Sequence, residues 1–563
     1  MYRLLFILFF LLPDIATKTT VLPSHIRRSS SIDCSPPEDA AILPAGDGRY
    51  APVFPGWGHY HYPISTVIDS ARYFFDQGLS LYYGYHLPES LASFKEAARK
   101  DSDCAMAWWG QALAMGPYYN STYIYKMPPE VLPVLEKMNG LAGGATAKEK
   151  DLLSAMNRRY SADTSDSRRG ALNRAYSDGM KALIGKYPGD NDIKALFIDG
   201  VMTEHAWDLW DTKGSPKPWT PELVKDCEEI LAADPWHPAA LHYHIHLLEA
   251  SLHPEATLPS ADKLKELMPG VPHMVHMASH SYQRTGLYAK GVSINDSANA
   301  AQGRYRLLAP QLHLGIFVVH YDAVEAFCAM NGAMYDKALQ SAEKCRTAIG
   351  APALPRLAVQ YLYMMPLFAQ VRLGKWQAIL DRPAPDNRWI YASLLSDFAR
   401  GMAHVRTGRL DSARSYLASL RTRLKDPALT VRRLPNNAPI EGSSVADAIL
   451  EGEILFAEKR PAEAMAAFDR AIRREDGMSY GEPKDWPLPA RHFAGVCLLK
   501  LNRAVEAEKL YREDLVQNPG NGWGLLGLAQ SLEALHQKDA AEYKARAGEA
   551  FAHAEEMPPA SAY

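Results

Sequence analysis

Imidazole and carboxylate side chains occur at helical spacing within residues 241–288. The first segment reads LHYHIHLLEASLH and places His242, His246 and Glu249 at positions i, i+4 and i+7. At about 100° of rotation per residue these three share one helix face, while His244 points to roughly the opposite side. Neutral imidazoles are ligands for Zn, Cu, Fe and Ni. The segment therefore predicts one half of a metal or catalytic site.

The second segment, PHMVHMASHSYQRTGLY, repeats the pattern. Pro272 suits the first turn of a helix, and His273, His276 and His280 follow at i, i+3 and i+7. Consecutive helices joined by a modest loop tend to pack antiparallel, so we expect the two histidine stripes to lie together. A hydrogen-bonded polar groove for a ligand, or unrelated core and surface histidines, are the alternatives.

The stripes predict a site for a divalent transition metal: Zn, Fe or Cu. The predicted ligands are His242, His246, His273, His276 and His280. Glu249 could be a further ligand, or a catalytic general base acting on a metal-activated water. Metal-assisted hydrolysis and oxygen or redox chemistry both remain open, as does a site with two ions.

Other residues could approach this cluster in space. They are His61, His86, Glu204 and His320. A turn position is the simpler interpretation of His86, and a solvated face that of Glu204. A ligand groove is predicted to include Trp207, Trp210, Trp486 and Arg491. Arg491 could clamp a ligand carboxylate or a peptide end, although loop anchoring is the simpler interpretation.

Composition and missing motifs exclude several functional classes. The 563 residues have a formal net charge of −3 and no basic block, so we expect no nucleic-acid partner. The sequence contains no GxGxxG after a strand, no GxxxxGK[ST], no HExxH and no GxSxG. The six cysteines are scattered without a CxxC pair, which argues against a thiolate zinc site and leaves one or two disulfides open.

The N-terminus predicts export. The apolar run in MYRLLFILFFLLPDIATKTT is too short to span a bilayer but fits a signal peptide over residues 1–16. A polar, Pro/Ser-rich linker follows over residues 17–50. We expect a periplasmic or secreted protein with no membrane span in the mature chain; a retained membrane anchor is the alternative.

The remaining chain has a repeat of helical hairpins. Phe74 and Trp108 are thirty-four residues apart at similar positions of successive helices, with small residues at Gly78 and Gly110. This is the tetratricopeptide period, in which helix pairs stack into a superhelix with a concave groove. We predict an all-α superhelix, with an N-terminal region at 51–350 that contains the histidines and C-terminal repeats at 351–563.

Several segments resemble a family of exported bacterial tetratricopeptide-repeat proteins with an HxxHMxxH motif and no assigned activity. They include FFDQGLSLYYGYH, HYHIHLLEAS, PHMVHMASHSYQRTGLY and YREDLVQNPGNGWGLLGLAQSL. The resemblance implies the all-α repeat fold. Residues that match its pattern are His61, His86, His242, His246, Glu249, His273, His276 and His280. The chain departs from it in MASHSY, where MPSHIY is usual, and at Tyr119, where Asn is usual.

Functions of two further classes compete with a metalloenzyme. Tetratricopeptide arrays commonly bind peptides or partner proteins in the groove, so a non-enzymatic scaffold is the main alternative. An accessory protein that binds a solute or glycan among Trp and Tyr side chains is another. Metal content would separate these from the first hypothesis.

Overall fold

Helical hairpins follow one another along the chain. The structure is a computed structural model that describes residues 42–120, 123–308, 312, 318–349, 356–432 and 437–563. Twelve helices precede residue 309 in the described chain: α1 (Asp69–Tyr83), α2 (Leu87–Lys100), α3 (Ala105–Ala114), α4 (Val131–Gly140), α5 (Ala147–Arg158), α6 (Arg169–Lys186), α7 (Asn191–Glu204), α8 (Thr220–Ala233), α9 (Pro238–Leu248), α10 (Leu258–Leu267), α11 (Pro272–Arg284) and α12 (Tyr288–Leu308).

The second half of the described chain is built in the same way. Its helices are α13 (Val318–Asn331), α14 (Tyr335–Ile349), α15 (Leu357–Tyr363), α16 (Met365–Arg372), α17 (Trp376–Asp381), α18 (Ile390–Arg406), α19 (Leu410–Arg423), α20 (Pro439–Ala457), α21 (Pro461–Asp476), α22 (Ala490–Lys500), α23 (Ala504–Gln517), α24 (Gly522–Ala534) and α25 (Ala540–Ala550). No strand occurs among the described residues. The predicted all-α repeat fold is confirmed.

Large side chains fill the space beside glycines in neighbouring helices. Phe94 of α2 is fully buried, and a Cβ on Gly78 of α1 would lie 2.8 Å from its ring. A Cβ on Gly110 of α3 would lie closer still. Tyr511 of α23 occupies the equivalent place against glycines of α22 and α24. This pairing of small and large residues lets three successive helices pack closely, as the thirty-four-residue period predicts.

The C-terminal repeats fold back onto the middle of the chain. The Arg284 guanidinium donates to the carbonyl oxygen of Gln517 at 2.8 Å, and the Trp523 indole donates to that of Asn331 at 2.8 Å. Gly286 and Gly520 both have positive φ, and a Cβ on either would clash with the backbone of the other turn. The end of α11 therefore lies directly against the turn between α23 and α24.

Some predictions fall partly on undescribed residues. The proposed signal peptide, 1–16, and linker residues 17–41 lie outside the described chain. At the end of that linker, the backbone N–H of Tyr50 donates to Glu96 of α2 at 3.0 Å. The division at residue 350 stays a prediction. In the described part of the chain, no helix has the length and apolar character needed to cross a bilayer. The five described cysteines are buried and free.

Candidate metal centre

Two buried helices, α9 and α11, hold the histidine stripes. Each begins with proline, at Pro238 and Pro272, as expected for a first helical turn. The segment between them differs from the predicted loop because it contains α10, so α9 and α11 are not a consecutive hairpin. Alternate helices of a repeat stack still lie side by side, and this brings the two stripes together.

His86 has a different role from the stripe histidines. Its Nε2 accepts a hydrogen bond from the backbone N–H of His273 at 3.2 Å, and its Nδ1 lies 2.8 Å from the Glu89 carboxylate. This bond satisfies a backbone N–H in the first turn of α11, which has no acceptor within the helix. His86 supports the position of α11.

The first histidine triad consists of His242, His246 and His273. Its ring centroids are 4.8 Å apart for His242 and His246, 5.1 Å for His242 and His273, and 6.4 Å for the remaining pair. One nitrogen from each ring lies within 4.8 Å of the others. All three side chains are buried, with at most 1% exposure.

The second triad consists of His276, His280 and His320. The His276 ring centroid is 4.9 Å from that of His280 and 4.7 Å from that of His320. One nitrogen from each of these rings again lies within 4.8 Å of the others. His320 lies in the first turn of the neighbouring helix α13, so three helices contribute to the cluster.

Hydrogen bonds on the outer side of four rings define their tautomers. The Nδ1–H of His242 donates to the carbonyl oxygen of Tyr83 at 2.6 Å, and that of His276 donates to Asn295 Oδ1 at 2.6 Å. The Asn295 amide is oriented by its own bond to the Gly291 carbonyl oxygen at 2.8 Å. Since carbonyl oxygens only accept, the hydrogen must lie on Nδ1. In the neutral rings, Nε2 then carries a lone pair directed into the cluster.

Glu249 acts in the same way on two rings at once. Its Oε1 accepts from His246 Nδ1 at 2.9 Å, and its Oε2 accepts from His280 Nδ1 at 2.8 Å. One carboxylate thus connects a ring of the first triad with a ring of the second. Buried imidazoles whose outer nitrogen donates to a carboxylate or carbonyl are the usual arrangement around protein-bound metals.

The inner nitrogens have few partners within the protein. Nε2 of His242 and Nε2 of His246 are buried and make no hydrogen bond to any described residue. Nε2 of His276 and Nε2 of His280 lie 3.0 Å apart. Two lone pairs at that separation repel each other unless a hydrogen or a cation lies between them. The cluster therefore concentrates electron-pair donors in a small, buried volume.

Burial and charged neighbours shift the pKa values of the histidines in different directions. Burial lowers the pKa well below the usual histidine value for three rings: His242, His273 and His276. Burial also acts against charge on His280, but the adjacent Glu482 and Glu249 outweigh it and raise its pKa to about 10. The carboxyl of Glu249 is also buried, yet His246 and His280 hold its pKa at about 2. Burial and the nearby Glu249 charge raise the pKa of Glu482.

Glu482 reaches the cluster from the loop before α22. Its Oε2 pairs with His280 Nδ1, and the Tyr480 hydroxyl donates to its Oε1. Glu482 is not among the site residues that the sequence predicts. No local pattern connects it with a histidine two hundred residues earlier, because the contact depends on the return of the C-terminal repeats.

Aromatic side chains enclose the first triad. Tyr85 has a positive φ of 55° and lies in contact with all three rings, with its centroid 4.5 Å from that of His242. Tyr119, the residue where the resemblance suggests Asn, stacks on Trp207 with centroids 5.1 Å apart. Both also contact His246. Trp207 is therefore a wall of the cluster.

Other predicted residues lie in separate environments. The His61 ring is half exposed and pairs with Asp76 at 2.7 Å, while Glu204 pairs with Arg174 and with His205 at 3.3 Å. The donor groups found among the described residues include neither of them.

The predicted groove residues are dispersed. The Trp210 indole donates to the Leu247 carbonyl oxygen at 2.7 Å, and Trp486 is buried against Phe398 at 5.2 Å between centroids. Arg491 forms a bidentate pair with Asp476, at 2.6 and 2.9 Å. Trp486 and Arg491 both line a cavity of about 110 Å³. Arg491 thus already holds a carboxylate of its own chain.

No protein-family model matches this chain, and no curated protein matches it. Solved structures with a similar arrangement include a human IFIT1 dimer with m7Gppp-AAAA, at 13% identity and a TM-score of 0.35 over 79% of this chain and 90% of that chain. Yeast Tom70 is 10% identical with a TM-score of 0.27, covering 85% and 90%. The tetratricopeptide domain of P58(IPK) is 13% identical with a TM-score of 0.20, covering 83% and 98%.

Similarity at this level carries no information on function. The helical hairpins of this chain by themselves support a scaffold or binding role, because stacked repeats present an extended surface to partners. A fold of this kind does not define a reaction.

Proposed function

We propose that this protein binds a transition metal through its histidine cluster and is a candidate metalloenzyme. The observation that supports this most is the set of outer hydrogen bonds on His242, His246, His276 and His280. Each fixes Nδ1 as a donor and directs Nε2 inward. A cluster kept only for stability would leave Nε2 of His242 and Nε2 of His246 buried without a hydrogen bond, and buried polar atoms without partners destabilise a fold.

The donor set favours Zn, Cu or Fe. The ring nitrogens are neutral when bound, and imidazole suits these ions, whereas Mg²⁺, Ca²⁺ and Mn²⁺ prefer oxygen ligands. An ion here would supply Lewis acidity for hydrolysis, or redox chemistry with oxygen. Glu249 is better suited to positioning than to general-base catalysis, because both of its oxygens accept histidine hydrogens and its pKa is about 2.

Metal content tests the proposal directly. We expect the untagged full chain, purified without chelators, to contain Zn, Cu or Fe by elemental analysis, and His242→Ala to contain less. His253→Ala is the matched control, because His253 lies just beyond α9 with its side chain 80% exposed. A wild-type protein that takes up none of these ions, even after reconstitution with each, would rule out the metal site.

The second candidate function is a binding scaffold. The repeat fold favours it, and a small molecule, a peptide or a protein partner would occupy the concave surface. The net charge of −3 gives no reason to propose a nucleic-acid partner. Without metal in the wild type, the buried histidines would be interpreted as a polar lining within such a scaffold.

We also propose that the protein is exported, on the basis of the apolar N-terminal run. Expression of the full chain in a bacterial host, followed by fractionation and N-terminal sequencing, tests this. Recovery outside the cytoplasm with residues 1–16 removed is expected, and an intact N-terminus in the cytoplasm would contradict it.

A further inference from the structure

We infer that the cluster is a two-ion centre, with one ion in each histidine triad and Glu249 positioning one ligand of each ion. This rests on the proposed metal function and specifies its stoichiometry. The first triad is His242, His246 and His273, and the second is His276, His280 and His320.

The geometry of the ligands argues against a single ion. Metal–imidazole bonds are about 2.0–2.1 Å long, so nitrogens that share one ion lie at most about 4.2 Å apart. Nitrogens within each triad lie within 4.8 Å of one another, a distance that small side-chain adjustments close. Within the described residues, no group at that separation combines a whole triad with a ring of the other. Six histidines are therefore too widely spread for one ion but suit two.

A third arrangement, His246, Glu249 and His280, also brings donor atoms within 4.8 Å. Here the carboxylate lies against the Nδ1 atoms of both rings, at 2.9 and 2.8 Å. These nitrogen–oxygen distances are hydrogen-bond lengths, and they leave no room for an ion between the carboxylate and either ring. Glu249 therefore lies outside both triads as a shared hydrogen-bond acceptor, and it orients one Nε2 toward each ion.

The surrounding charge is consistent with two cations. Two divalent ions held by neutral imidazoles would place four positive charges in a buried site. Glu249 and Glu482 supply carboxylates from distant parts of the chain, and both contact the His280 ring. Three protein nitrogens per ion leave at least one coordination position on each for water or a substrate atom. Two ions held by these residues would each supply Lewis acidity to a bound ligand.

The stoichiometry of Zn²⁺ binding tests this inference. Metal-stripped full-length protein would be titrated with Zn²⁺ against a chromophoric chelator, using wild type, His242→Ala, His320→Ala and the control His253→Ala. We expect two equivalents in the wild type and the control, and one in each triad variant. One equivalent in the wild type would overturn the two-ion centre while leaving the metal function standing. No binding at all would remove both proposals.

A measurement on the wild type keeps the inference testable if a variant fails to fold. Anomalous scattering at the zinc absorption edge from crystals of the reconstituted protein would locate the ions. Two peaks, one within each triad, are expected. A single peak between His246, Glu249 and His280 would show that one ion uses the third arrangement, and would refute our assignment.

Discussion

Replacing Glu249 with glutamine removes the one group that orients a ring in each triad. The wild-type carboxylate accepts two hydrogens, from His246 Nδ1 and His280 Nδ1. A glutamine side chain has one accepting oxygen and one donating nitrogen. It can preserve one of the two contacts, but its amide hydrogens then face the hydrogen of the other ring. If that ring is His246, it must rotate or move its hydrogen to Nε2, where it blocks the lone pair; His280 still has Glu482 as an acceptor.

The expected loss of metal affinity follows from what happens when a hydrogen-bond partner of a metal-binding histidine is removed. Loss of such a partner reduces metal affinity by about 10- to 100-fold. This corresponds to about 1.4–2.7 kcal/mol of binding free energy. We expect Glu249→Gln to weaken at least one ion by this factor, and the two ions unequally, because His280 keeps Glu482 as a second acceptor whereas His246 relies on Glu249.

Competition between the protein and a chromophoric chelator measures the affinity of each ion. Glu255→Gln is the matched control, since Glu255 lies close by in sequence with its side chain 56% exposed. Circular dichroism and thermal melting of the metal-free proteins would establish that the variant is folded. Affinities for both ions within twofold of wild type, in a folded variant, would refute the positioning role of Glu249.

Further predictions concern the fold that holds the site. Phe94→Ala empties the space between α1 and α3, so we expect a loss of about 3–5 kcal/mol in unfolding free energy, measured with urea. Gly286→Ala combines a positive φ of 77° with a clash against Gly520, and should cost at least about 1–2 kcal/mol and lower the melting temperature. Gly303→Ala in α12, where a Cβ meets open space, should be neutral or stabilising by about 0.5–1 kcal/mol. Burial raises the pKa of Glu325 from 4.5 to about 7, so the folded state keeps a proton that the unfolded chain loses, and stability should fall between those pH values. Glu325→Gln should flatten this dependence, which amounts to about 3–4 kcal/mol at most; an equally steep profile in the variant would contradict the assignment.

Local sequence was sufficient to predict the repeat fold and the two histidine stripes. Helical periodicity places His242 and His246 on one face, and prolines at helix starts locate α9 and α11. The small and large residues of successive helices, such as Gly78 and Phe94, predict close hairpin packing. These features depend on backbone geometry within about forty residues, so they can be recognised without knowledge of the rest of the chain.

The connection between the stripes was less predictable. The sequence predicts a modest loop between the two stripes, yet residues 258–267 form α10. Packing of Ala261 and Leu264, both fully buried, stabilises that helix in the stack. The prolines lie at or outside the ends of α10, with Pro259 in its first turn, so they do not break the helix.

Only the tertiary structure decided which groups complete the site. The Tyr83 carbonyl oxygen and Asn295 define ring tautomers, but a backbone carbonyl has no sequence signature, and Asn295 lies on a different helix. Glu482 meets His280 because the superhelix closes, bringing the turn after α23 against the end of α11. Such contacts depend on the summed curvature of many repeats, which no local pattern encodes. The residue types and helical spacing of the candidate ligands were therefore determined by sequence alone, while their division into two triads, their outer hydrogen bonds and their second carboxylate came from tertiary packing.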